Sequence, residues 1–185
     1  KRNLTRLMQA SVAVFDRLEQ DSGAKIDWHK VGSLRLASSP DRWSEIRRSM
    51  TQAKSFGVEC ESLSASEAKA MFPFITMDDV EGAAYIAGDG YVDPHALTQA
   101  YAKAARASGV VIEEGITVTG IVTEGRRATA VVTDHGTIGC DILVNCAGLW
   151  AKRVGEMAGV AIAAGVVEHQ YFLTEKTLDL PTNLT

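Results

Sequence analysis

The run Ile142-Leu-Val-Asn-Cys-Ala-Gly-Leu-Trp150 is the stretch whose residue types and spacing best suit a bound ligand. An apolar strand that ends in small residues before a helix lets a molecule come close to the backbone at the carboxyl end of a parallel sheet. Ala147 and Gly148 carry nothing that would block that approach, and Trp150 can lie against a flat ring system. Close helix–strand packing, with Trp150 in the core, would need the same residues, so both readings stand at this point. A second run, Val166-Val-Glu-His-Gln-Tyr171, puts His169 and Tyr171 on one face of an extended chain and Gln170 on the other. The imidazole titrates near neutrality and the phenol both donates and accepts a hydrogen bond. A satisfied polar pair on an ordinary strand would look the same.

Several other chemistries lack their residues. There is no Walker phosphate loop, no His-Glu-x-x-His, no Cys-x-x-Cys and no Gly-x-Ser-x-Gly. Gly88-Asp-Gly90 begins like a dinucleotide-binding turn, but Asp93 stands where the third glycine belongs. His29, His95, His135 and His169 lie far apart and without ligand spacing, so no metal site is expected. Trp28-His29 and His95 read as partly exposed structural positions. Cys60, Cys140 and Cys146 are too few and too irregular for a disulfide framework, and their odd number favours a reducing compartment. Nineteen basic against twenty-three acidic residues give a net charge of -4, which argues against a nucleic-acid binder. No apolar run approaches the ~20 residues of a membrane helix. A composition 46% hydrophobic and 23% charged is that of a globular chain. Starting on Lys1 and closing on Thr185, it is expected to be a piece of a longer protein.

These runs must be held by alternating helices and strands. Leu4, Leu7, Met8, Val12, Phe15 and Leu18 repeat at helical spacing, with Gly23 as the stop. Val31–Ala37 alternates as a strand. Ser39-Pro40 opens a helix, and Val58–Cys60 predicts a brief strand. Ser64-Ala-Ser-Glu67 is a capping box for a short helix that Pro73 ends. Gly82–Ile86 predicts a strand, and Asp93-Pro94 opens a helix that Gly109 stops. Val110–Ile112, Val118–Thr123, Ala128–Thr133 and Thr137–Gly139 are β-rich runs parted by turn residues. Ile142–Asn145 suits a strand buried on both faces of a parallel sheet, and Val166–Thr174 a last long strand. The expected class is mixed α and β with at least one parallel element.

Five motifs in order carry a resemblance: Gly32-Ser-Leu-Arg-Leu-Ala37, Met71-Phe-Pro73, Gly88-Asp-Gly-Tyr-Val-Asp-Pro94, Val144-Asn-Cys-Ala-Gly-Leu-Trp150 and His169-Gln-Tyr171. Over almost its whole length the chain resembles the FAD-dependent oxidoreductases of the D-amino-acid-oxidase superfamily, most of all the dimethylglycine and sarcosine dehydrogenases and oxidases.

The resemblance implies a Rossmann-like FAD-binding domain interleaved with a mixed-sheet substrate domain. Residues 1–23 and 88–160 would be part of the first, and residues 24–87 and 161–185 part of the second. The glycine-rich fingerprint, and any histidine that holds flavin covalently, would precede Lys1. Val118 matches the position whose main chain meets the adenine end of FAD, and Ala147, Gly148 and Trp150 match the stretch beside the flavin. His169 and Tyr171 match the substrate side, where one can orient or deprotonate an amine and the other can bind its carboxylate. An amine must lose its proton before its carbon gives up hydride, because a positive nitrogen cannot stabilise the developing iminium. Relatives commonly have proline-rich sequence before this histidine, where this chain has Ala161-Ile-Ala-Ala-Gly165. The implied reaction is oxidation of an N-methylated glycine, with glycine or D-amino-acid oxidation by the same machinery, or a truncated module without catalysis, as alternatives. Tetrahydrofolate would enter only through a further domain. The partner is a small amine, with self-association of the piece expected and neither nucleic acid nor membrane. The location is cytoplasmic in a bacterium or the mitochondrial matrix in a eukaryote.

Overall fold

A computed structural model of the chain describes residues 2–170 and residue 175. They form two compact units that divide between Val111 and Ile112.

The first unit contains an antiparallel sheet of β1 (Ser33–Ala37), β2 (Glu61–Leu63) and β3 (Gly82–Ile86), with β3 in the centre. Successive strand residues point to opposite faces, so β3 divides its alanines between two helices. Ala84 joins Ala37, Cys60 and the Ile46 and Met50 side chains of α2 (Pro40–Lys54). Ala83 joins Met77 and the Ala68 side chain of α3 (Ala65–Met71), with Leu34 and Leu36 packed against them. Both helices start as their sequences require. Ser39 accepts the Arg42 N–H and Pro40 occupies the first turn of α2. Ser64 and Glu67 close the capping box of α3, and their hydrogen bonds hold the Glu67 carboxyl below its ordinary pKa.

The same unit holds a helix pair, α1 (Arg2–Ser22) on α4 (Pro94–Ala107). Leu18, Ile26 and Ala100 are buried between them, and Phe15 meets Trp28 edge to face at 5.5 Å. Gly23, at φ +61, ends α1, and its carbonyl accepts Lys103 Nζ from α4 at 3.1 Å. The first turns of α1 differ from expectation. Leu4, Leu7 and Met8 belong to the apolar stripe but are exposed.

The second unit is an antiparallel meander of β4 (Val118–Glu124), β5 (Arg127–Thr133) and β6 (Gly136–Gly139). A single 3₁₀ turn at Gly148–Trp150 then leads into α5 (Ala151–Met157), which packs on β4.

The mixed helix-and-sheet class is as expected, whereas several local elements are not. Every described ladder is antiparallel, so the parallel element expected at Ile142 is not found among the described residues. Ile142–Asn145 forms no strand, with Ile142 82% and Val144 75% exposed. Its composition suits burial on both faces, but a strand also needs neighbours for its backbone groups, and no described strand pairs with it. Residues 166–170 are likewise exposed and form no strand, and residues 171–174 lie outside the described residues. Val110–Ile112 is irregular for the same lack of a pairing strand. The strand expected at Val58–Cys60 forms instead at Glu61–Leu63. Val58 is held by the end of α2, donating to Ala53 O, and Cys60 is drawn into the core, its thiol donating to Met50 O.

Candidate functional site

In the second unit, β4, β5, the 140–147 segment and α5 wall an apolar cavity of about 340 Å³. Val118 and Ala147, 29 positions apart, both line it. Gly148 and Trp150 lie beyond its walls. Asn145 shapes the turn between these residues. Its Nδ2 donates to Ala151 O at 2.9 Å, and its Oδ1 accepts the Ala147 N–H at 3.2 Å. This bracket holds the backbone while the chain turns into α5. Gly148 has φ +54 and open space where a Cβ would project. Trp150 is 61% exposed in this chain.

On the substrate side, His169 is exposed on an irregular segment, and Tyr171, expected to share a strand face with it, lies outside the described residues. His95 is exposed on α4, as expected. His135 Nδ1 lies 2.8 Å from Asp134 Oδ1 at the β5–β6 turn, and this contact with the Thr117 N–H holds the Asp134 carboxyl below its ordinary pKa. Among the described residues no three His, Cys, Asp or Glu side chains cluster as metal ligands, and no helix is long and apolar enough to cross a membrane. Gly90 has its own reason to be glycine. A Cβ there would overlap the carbonyl oxygen of His29, so the partial dinucleotide motif reflects backbone packing.

These features fit the ring-bearing parts of a flavin dinucleotide. The cavity is lined mainly by aliphatic side chains, the small Ala147 stands in its wall, and an exposed indole follows at Trp150. The diphosphate finds no glycine-rich strand-to-helix turn at this site among the described residues. A family model described as FAD dependent oxidoreductase matches residues 1–184. The chain belongs to that family.

Its relatives are much longer proteins. The mitochondrial sarcosine dehydrogenase of Mus musculus is 38% identical over 164 residues, which is 86% of this chain and 18% of that protein. The mitochondrial dimethylglycine dehydrogenase of Rattus norvegicus is 33% identical over 172 residues, 93% of this chain and 20% of that one. Among solved structures, the L-proline dehydrogenase of P. horikoshii superposes with a TM-score of 0.76 at 28% identity, covering 84% of this chain and 41% of that chain. The glycine oxidase of Geobacillus kaustophilus gives 0.71 at 27% identity, covering 86% and 42%. The chain thus spans about a fifth of these curated relatives and two fifths of the solved chains.

For an FAD-dependent oxidoreductase, some cavity residues escape a sequence reading. Ile121, Val131 and Val154 wall the cavity, yet each looks like an ordinary core aliphatic in its element. Cys140 and Cys146 line it as well. Asn145 did carry a signal, since an Asn two residues before a backbone N–H that it accepts is a common turn device.

Proposed function

We propose that this chain is part of an enzyme that oxidises an N-methylated glycine, dimethylglycine or sarcosine, by hydride transfer to FAD. The observation that carries this reading is the likeness to sarcosine and dimethylglycine dehydrogenases over 86% to 93% of the chain. The flavin supplies the redox chemistry. Val118 would meet the adenine end through its main chain, and Ala147, Gly148 and Trp150 would lie beside the isoalloxazine. His169 would orient or deprotonate the substrate amine and Tyr171 would bind its carboxylate. Loss of hydride from the N-methyl carbon leaves an iminium, which water hydrolyses or which passes its one-carbon unit to tetrahydrofolate in a further domain. Residues 1–23 and 88–160 would belong to the FAD domain, and 24–87 with 161–185 to the substrate domain. A mitochondrial matrix location follows for a eukaryotic source, cytoplasm for a bacterial one.

A second reading, oxidation of glycine or a D-amino acid, is supported by the likeness to glycine oxidase. Stopped-flow reduction of the full-length flavoprotein separates the two. Faster reduction by dimethylglycine or sarcosine than by glycine or D-alanine is expected, and the reverse order would replace the first reading with the second. His169→Ala is expected to slow reduction by about 10²–10⁴-fold, the loss of a positioned acid–base group. Tyr171→Phe should act mainly on substrate affinity.

A further inference from the structure

The meander of the second unit has an open edge. β6 pairs with β5 on one side, and among the described residues no strand pairs with its other side. All of Gly136, Thr137, Ile138 and Gly139 are exposed. Their backbone groups divide cleanly between the two sides. The Cys140 N–H donates to Thr129 O at 2.9 Å, directly beyond the pairing of Gly139 with Ala130. Bonded and non-bonded pairs alternate along an antiparallel ladder, so Gly136, Ile138 and Cys140 aim their N–H and C=O groups at β5. Thr137 and Gly139 aim theirs away from it. Natural sheets guard such an edge with charge, proline or a bulge. The Gly-Thr-Ile-Gly edge holds neither charge nor proline, and its register with β5 is regular.

Ile138 is the large side chain of this edge, and it is 54% exposed. It pairs with Val131 on β5, and Val131 pairs with Ile121 on β4. Cross-strand partners share a face, so these side chains form an apolar stripe across the sheet that ends in the open at Ile138.

We propose that β6 pairs antiparallel with β6 of a second copy of this chain, about a twofold axis at Ile138. A twofold contact sets one edge against itself. In this register Thr137 lies opposite Gly139 of the other copy, in both directions, and each pair exchanges its outward N–H and C=O groups. Ile138 faces its twin in the non-bonded position, where side chains come closest. The apolar stripe then runs unbroken from one sheet into the other. Asp141, whose side chain is almost fully exposed, comes opposite His135 of the other copy, so an acidic group faces a basic one at both ends. A shift by two residues keeps the backbone bonds but sets Thr137 or Gly139 opposite itself, and loses both side-chain matches. This match of the edge with itself selects a second copy as the occupant. Four residues a side bury less than the roughly 1,200 Å² of a standard interface, so the dimer should be weak and depend on concentration.

The test is sedimentation equilibrium of the flavin-loaded full-length protein over a concentration series. A monomer–dimer equilibrium is expected. Thr137→Pro removes an N–H that points outward and none that β5 uses, so it should weaken the dimer about ten-fold or more. Its melting temperature should stay that of the wild type. Ile138→Cys sets a thiol opposite its twin at about the 4.5 Å Cα spacing of a non-bonded pair, within disulfide range. Under air oxidation it should give a covalent dimer, and mass spectrometry should find residue 138 bridged to residue 138. Thr137→Cys, which faces Gly139 instead of itself, should bridge about ten-fold less. A monomer at every concentration overturns the pairing. So does an equilibrium that Thr137→Pro leaves untouched, or equal bridging by Ile138→Cys and Thr137→Cys. Should Thr137→Pro lower the melting temperature, the comparison of the two bridging variants decides alone.

Discussion

Gly90 lies so close to the carbonyl oxygen of His29 that no Cβ can be added without moving the backbone. Gly90→Ala should therefore force apart the paired hydrogen bonds of His29 and Tyr91, costing about 1–3 kcal/mol, as overpacking does where the neighbour cannot give way. Gly88, two residues earlier, has open space and an ordinary backbone, so Gly88→Ala should be close to neutral. Thermal unfolding of the two variants decides this, and equal melting temperatures would refute it.

The β5–β6 turn should respond to acid. Asp134 is held below its ordinary pKa first by the His135 ring and then by the Thr117 N–H. A carboxyl whose folded pKa is depressed stabilises the fold above its unfolded value and loses that contribution as pH falls through the folded value. The Thr117 amide resonance should accordingly shift as pH drops below about 4. In Asp134→Asn it should stay flat, and a wild-type shift preserved in that variant would remove the carboxylate as its cause.

Trp150→Ala should affect flavin more than folding. The exposed indole contributes little to the core of the unit. Against a flavin ring it would contribute about 1–3 kcal/mol, so the variant full-length enzyme should hold flavin roughly 5- to 150-fold more weakly. Equilibrium release of flavin, read beside the melting temperature, checks both halves. Full flavin retention with a large loss of stability would return Trp150 to a packing role.

The 185-residue chain should self-associate. Ile142, Val144, Leu149 and Trp150 present apolar side chains to solvent on adjoining stretches of one unit, and extended apolar segments without pairing partners template contact with another chain. Light scattering at ~100 μM, a range where such surfaces aggregate, should show species larger than a monomer. Ile142→Lys with Val144→Glu should reduce them. A monodisperse monomer would sink the idea.

Local signals of helix starts were the most legible part of the chain. Ser39-Pro40, the Ser64–Glu67 box and Asp93-Pro94 each cap the expected helix, because a cap depends on residues within one turn. Strands were legible where their partners are close in sequence, as in β4 to β6. Ile142–Asn145 and Val166–Gln170 have strand-like composition but no described strand pairs with them, and composition cannot supply a hydrogen-bonding neighbour. Val118 was named from resemblance and Ala147 already from its small size, and their common cavity depends on the path of the meander. His29 shows the opposite limit. In sequence it looks like an edge position, and its stack on Tyr91, 62 residues away, has no local signal there.

Lys103 reaches the carbonyl of Gly23 across 80 residues of sequence, and α1 packs on α4 over that same separation. Everything between, including the whole β1–β3 sheet, leaves from and returns to one helix pair. In kinetic terms the pair is expected to form late, since closing so long a loop costs entropy before any contact repays it, while the sheet and its two helices can form from nearer neighbours. In evolutionary terms the excursion is a cassette. Doubling its length would add only about 0.6 kcal/mol to the closure of the helix pair, so the β1–β3 region can be enlarged or exchanged while the helices that bracket it stay as they are.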